Sequence, residues 1–177
     1  MIHIFIKICG MAVVMASAVL TGRQLACGYR KRLNELDALR RGMMIFNNEI
    51  AYSAASLDEC FEAAAARCID KDISEVFADM SQRIRQAQGE CASDIWSRCI
   101  QSHESRLQLD TADIAELYNF GKNLGFLNAR MQTDAVRLYL SVLDTRISDA
   151  AKRVDNQCSA AKTLSIACGA FVCIMLI

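Results

Sequence analysis

All 20 acidic residues of this chain fall between Glu35 and Asp155. Outside those limits lie two apolar stretches, Ile2–Leu20 and Thr163–Ile177, each with basic residues on its inner side. Apolar, acid-free ends around a charged middle predict a chain held in a membrane at both ends, with one domain between them. That organisation excludes most soluble-enzyme architectures before any motif is sought.

The middle has the composition of helices. The 177 residues include no proline and only eight glycines, and proline is the residue that most reliably interrupts a helix. Alternation of β-branched and polar residues, the signature of strands, is not found. Twenty Lys and Arg balance twenty Asp and Glu. No net field therefore draws the chain to nucleic acid.

Three segments follow: an N-terminal membrane segment at 1–22, a helical domain at 23–162 and a C-terminal membrane segment at 163–177. The first holds a single charge, Lys7, which can snorkel to the interface. A cleavable signal peptide is the alternative, with Lys7 as its basic start and Ala16-Ser17-Ala18 as small residues at cleavage spacing. On that alternative the chain is an exported helical binding protein. Arg23, Arg30, Lys31 and Arg32 follow the first segment, and Lys152, Arg153 and Lys162 precede the last. The positive-inside rule then places the middle domain in the cytoplasm. The final 15 residues reach only about 22 Å as a helix, short of a hydrocarbon core of about 30 Å. Extension through Ala160 and Ala161, snorkelling of Lys162, local thinning or pairing with other helices would meet that mismatch, and a half-inserted or partner-shielded segment is the alternative.

Periodicity divides the middle into about six helices. Leu33, Leu36, Leu39, Met43, Phe46 and Ile50 form one stripe, ending near Tyr52–Ala55. Ser56 and Glu59 predict a capping box for a second helix that buries Leu57, Cys60, Phe61, Ala64, Ala65 and Cys68. Asp72 is the expected cap of a third helix, lined by Val76, Phe77, Met80 and Ile84 and stopped by Gly89. Cys91, Ile95, Trp96, Cys99 and Ile100 mark a fourth, followed by a polar loop from Gln101 to Gln108. Asp110 or Thr111 caps a fifth, carrying Ile114, Leu117, Phe120 and Leu124. Gly125 and Asn128 then make a corner. The sixth helix buries Met131, Ala135, Leu138, Val142, Ile147, Ala151 and Val154. The expectation is an all-α, membrane-anchored bundle whose first and last helices continue into the membrane segments.

No catalytic constellation accompanies this fold. Walker A, GxGxxG, GxSxG and HExxH patterns are absent. The nine cysteines are an odd number with neither CxxC nor HxxxH among them, so they are expected as small core hydrophobes rather than as a disulfide framework or a metal site. No cofactor is expected. His103, in the polar loop, is expected as a surface histidine, and Asp110 and Asp113 as charges complementing a helix start. Gln132, four residues after Asn128, is either a plain first-turn glutamine or a side chain that fixes the corner for a partner.

The corner carries a resemblance. Leu124-Gly125-Phe126-Leu127-Asn128-x-x-x-Gln132, with the apolar helix through Leu138 and Val142, resembles the stage III sporulation protein AB family, whose pattern here is LG-x-x-D-x-x-x-Q. RKRL at 30–33, LRRGMMIFNNEIAY at 39–52 and the two apolar ends are also similar, so the likeness covers nearly the whole chain. Asn128 replaces the usual Asp, which keeps the cap and loses a charge. The family's frequent proline before the leucine is missing at Ser53–Leu57. The resemblance implies a component of the sporulation channel between mother cell and forespore, in the mother-cell membrane around the forespore. Its helical domain would resemble those of type II secretion and type IV pilus platform proteins. It implies as partners the secretion-type ATPase of the same operon, a protein like stage III sporulation protein AA, together with other channel membrane proteins and the bilayer. Nucleic acid and small-molecule substrates are not expected. Gly125, Asn128 and Gln132 are the candidate partner contact. Arg23, Arg30, Lys31, Arg32 and Lys162 are the candidate membrane-orienting charges.

Overall fold

A computed structural model describes residues 27–176 apart from 54, 88, 123 and 126–128, and describes backbone only at 129 and 157–176. The proposed membrane segment at 1–22 lies outside these residues. Two compact units emerge: one from Lys31 to Asp149, the other formed by the two ends, up to Arg30 and from Ala150. In the second unit the described backbone is helical at 27–30 and from Ala150 to Leu176. Among the described residues no helix is long and apolar enough to cross a membrane, and no strand occurs.

Among the described residues six helices build the fold. Helix α1 (27–48) ends in a π-helical turn, Glu49–Ser53. There follow α2 (Leu57–Arg67), α3 (Lys71–Gln86), α4 (Ala92–His103), α5 (Thr111–Gly121) and α6 (Ala129–Leu176). Helices α2 to α5 pack in sequence, each against the next. Most of the caps are local and were legible. The Ser56 N–H donates to Glu59 at 2.9 Å. Asp110 accepts from the Asp113 N–H at 2.8 Å while Asp113 accepts from the Asp110 N–H at 3.2 Å, a reciprocal cap for α5. The third helix corrects the expectation. Its cap is Asp70, which accepts from the Ile73 N–H at 3.1 Å. Asp72 lies within the first turn, where it pairs with Lys31.

The core holds one aromatic ring from every helix. Phe46 of α1 lies 4.5 Å from Phe61 of α2, which stands 6.2 Å from Phe77 of α3 and 5.6 Å from Trp96 of α4. Trp96 meets Phe120 of α5 edge-on at 5.5 Å, and Phe120 stacks on Tyr139 of α6 at 5.0 Å. Offset and edge-on pairs at these separations add to the burial of the rings. The indole N–H is not wasted, since it donates to the Leu117 carbonyl at 2.8 Å. Cys60 and Cys99 are fully buried among these rings and their neighbours, as small core hydrophobes should be.

Two helix faces differ from expectation. In α6 the buried residues include Thr133, Val136, Tyr139, Leu143 and Ala150, while Met131 and Leu138 are 53% and 69% exposed. The buried stripe is turned about 100°, one residue, from the predicted one. Both stripes are apolar, and the stacking of Tyr139 on Phe120 selects between them. Helix α4, in turn, continues to His103 instead of stopping at Ile100. The loop is correspondingly shorter, and Leu107 within it is buried.

Two glycines let helices approach. A Cβ on Gly121 would lie 1.9 Å from Trp96 Cδ1, and one on Gly42 would lie 2.2 Å from Phe77 Cε2. Ala normally favours a helix over Gly by about 1 kcal/mol. Here Gly121→Ala should instead destabilise the bundle by about 2 kcal/mol, because overpacking against a buried indole outweighs the helix gain. Thermal unfolding followed by helical circular dichroism checks this. Gly28→Ala, with nothing within 4 Å, should be neutral or stabilising in the same measurement.

Candidate functional site

The corner between α5 and α6 is built by backbone conformation. Helix α5 ends at Gly121, whose carbonyl accepts from the Leu124 N–H at 3.0 Å. Leu124 drops into the core, 2% exposed. Gly125 then takes φ +83, in the left-handed region, with its would-be Cβ 3.0 Å from Ala92 Cβ. It lies at the surface. Gln132 is in the first turn of α6, half-buried, and its Nε2 is buried without a hydrogen bond. Asn128 lies outside the described residues. Of the three candidates, the structure thus places Gly125 and Gln132 on either side of the turn.

Beside this corner lies an apolar stripe that periodicity assigned to the core. Met131 and Leu138, seven residues apart on α6, are exposed together. A groove next to them is lined by Ile50, Ala51, Arg130, Thr133, Asp134 and Arg137. Tyr52, which adjoins Ala51, is 87% exposed.

The basic candidates divide. Arg23 lies outside the described residues, Arg30 is at the surface of α1, and Lys162 is on α6 where only backbone is described. Lys31 pairs at the bundle surface and Arg32 inside it. Lys31 Nζ is 2.9 Å from Asp72 and 3.5 Å from Glu35. Arg32 is buried and grips Asp113 through two bonds, Nε to Oδ2 at 2.7 Å and Nη2 to Oδ1 at 3.1 Å. Its Nη2 also meets Asp110 at 2.7 Å, and Arg146 of α6 stands 3.9 Å from Asp113. Glu35 is fully buried and accepts from the Gln108 N–H at 2.7 Å. Burial pushes its carboxyl above the ordinary value, partly offset by the Gln108 N–H and Lys31. This network ties α1 to the cap of α5 and the loop before it, and nothing in sequence spacing signalled it.

His103 corrects a further expectation. It is in the last turn of α4, half-buried, with Nε2 3.1 Å from Asp79 of α3. Cys99, one turn earlier, is 3.5 Å from the same carboxylate. Among the described residues this is the one cluster of three metal-ligating types with their donor atoms within 4.8 Å of one another. The sequence signal was the Cys-x-x-x-His spacing, which acquires meaning only if His103 is helical. Burial raises the Cys99 thiol to about 12, the opposite of what a cysteine nucleophile requires.

An all-α bundle among the described residues agrees with the fold that the resemblance implies. A model of the stage III sporulation protein AB family matches residues 7–177. The chain belongs to that family. Stage III sporulation protein AB of Bacillus subtilis (strain 168) is 21% identical over 171 residues, which cover 97% of this chain and 99% of that protein. A solved structure of Stage III sporulation protein AB (SpoIIIAB) matches with a TM-score of 0.65 at 21% identity, covering 71% of this chain and 97% of the other. At that identity the likeness establishes the helical fold. Among the described residues the exposed large apolar side chains also include Met44, Tyr52 and Ile69, and Met131 and Leu138 lie seven residues apart on one helix.

Proposed function

We propose that this sporulation protein is a non-catalytic membrane platform subunit of the channel between mother cell and forespore. Its helical domain docks a cytoplasmic secretion-type ATPase and couples it to the membrane assembly. The segments at 1–22 and 163–177 anchor it in the mother-cell membrane around the forespore. Arg23, Arg30 and Lys162 hold the domain on the cytoplasmic side, and Lys31 and Arg32 join them during insertion before pairing within the folded domain.

One observation carries the docking role: Met131 and Leu138 expose a common apolar stripe beside the Gly125–Gln132 corner. Large apolar side chains grouped at a surface mark contact with another protein more often than isolated ones do. The groove next to them adds Arg130, Asp134 and Arg137, which would form a polar rim. The docking face therefore comprises Gly125, Asn128, Gln132, Met131 and Leu138. Family membership supports the choice of a sporulation partner.

Leu138→Asp should weaken binding of the full-length protein to the purified ATPase by at least about tenfold, with helical content and melting temperature unchanged. Calorimetric or interferometric titration in detergent reads the effect. Unaltered affinity would remove this face from the interface, and absence of any binding by the folded wild type would remove the ATPase. Protease protection tests the topology. Digestion of the middle domain only in inverted vesicles fits the proposal, while digestion in spheroplasts favours the exported binding protein.

A further inference from the structure

Where α3 meets α4, three side chains of different chemistry converge on one point. Asp79 comes from α3, and Cys99 and His103 come from one face of α4, four residues apart. The Asp79 Oδ2 atom is 3.1 Å from His103 Nε2 and 3.5 Å from Cys99 Sγ. A tetrahedral zinc ion, with bonds of about 2.0 Å to oxygen and nitrogen and about 2.3 Å to sulfur, holds such ligand atoms about 3.3–3.5 Å apart. The two separations to Asp79 are therefore close to those of a coordination sphere, and Cys99 and His103 bring their ligand atoms within 4.8 Å of each other. We propose that Asp79, Cys99 and His103 bind a zinc-type divalent transition metal ion, with water completing the sphere.

The donor set selects the metal. One thiolate, one imidazole and one carboxylate suit zinc or its cobalt and nickel neighbours, whereas calcium and magnesium require oxygen. Two helices present the ligands, so little has to be ordered on binding. The side chains of His103 and Asp79 are 15% and 26% exposed, which leaves an entry from solvent, while Cys99 closes the inner side. The thiol donates to the Val76 carbonyl at 3.5 Å. On coordination its proton passes to solvent, as metal binding by cysteine demands.

One group competes. Arg83 Nε lies 2.8 Å from Asp79 Oδ2 and must swing aside. Its side chain is 36% exposed, and its Nη2 already reaches toward Ser102 Oγ at 3.4 Å. A pair this exposed contributes little to stability. This competition supplies a diagnostic, because removing Arg83 should tighten metal binding without touching a ligand.

The test is cobalt titration of untagged, full-length protein in detergent, followed by competition with zinc. The expected result is one equivalent with thiolate-to-cobalt charge-transfer absorption. That absorption should vanish in Cys99→Ala and persist in Cys91→Ser. Affinity should fall at least about tenfold in His103→Gln and rise severalfold in Arg83→Ala. His103 lies at the edge of the core, so His103→Gln remains informative if Cys99→Ala fails to fold. Absence of the charge-transfer band at saturating cobalt, its survival in Cys99→Ala, or unchanged affinity in His103→Gln would each overturn the site.

Discussion

Replacing Arg32 by methionine should lower the stability of the bundle by about 3 kcal/mol, although the new side chain is apolar and similar in length. The reason is what remains. Asp113 is 2% exposed at its side chain and takes two bonds from the guanidinium. Removing one partner of a buried pair costs about 3–5 kcal/mol, because the other charge stays buried. The lower end applies because Arg146, 3.9 Å from Asp113, keeps some positive potential at the site. Urea unfolding followed by helical circular dichroism at pH 7 measures the loss. The double replacement Arg32→Met with Asp113→Asn should recover most of it, since asparagine keeps the capping geometry without the charge. A loss below about 1 kcal/mol in the single variant would place the pair with ordinary surface ion pairs. Equal losses in single and double variants would assign the effect to packing.

The same network predicts an acid limb. Burial pushes the Asp110 carboxyl up, but the Asp113 N–H and the Arg32 guanidinium outweigh it and hold the carboxyl below its ordinary value. A depressed folded value stabilises the fold above the unfolded pKa of about 3.9. That contribution is lost as pH falls through the folded value. Stability of Arg32→Met should therefore decline less steeply than wild type below about pH 4, which unfolding curves at stepped pH would show.

Trp96→Ala should be the most damaging single change in the core, at about 3–5 kcal/mol. Trp96 is 0% exposed, contacts the rings of Phe61 and Phe120, and donates its indole proton to Leu117. The surrounding helices cannot collapse into the void without moving α5, which approaches through Gly121. Trp96→Phe should cost less, since it keeps a ring in the cluster and loses only volume and one hydrogen bond. Denaturant unfolding of both variants separates these effects. A Trp96→Ala loss under about 1 kcal/mol would mean that the six-ring cluster is not the centre of the core.

Much of this was legible before any fold was known. Phe46, Phe61, Phe77, Trp96 and Phe120 each stood at an apolar position of a helical repeat, and all are buried. The Ser56–Glu59 cap is legible from residue type and spacing, and Asp110 is one of the two candidates there for the fifth helix, because caps are made within a few residues. The family was read from residues 124–132 and the pattern of the ends. The candidate site was less legible. Gly125 was placed at its turn by residue type, but the exposed Leu138 beside it was assigned to the core.

Helix formation, the apolar repeats and the caps at Ser56 and Asp110 follow from local sequence, since they depend on backbone propensity and on neighbours three or four residues away. Packing between helices selected which of two apolar stripes on α6 turned inward, because Phe120 had to be in place to receive Tyr139. It also decided that Arg32 would meet Asp113, 81 residues distant, and that His103 would come to rest against Asp79 across two helices. Those pairings are energies between surfaces that do not exist until the chain has closed, so no local pattern encodes them.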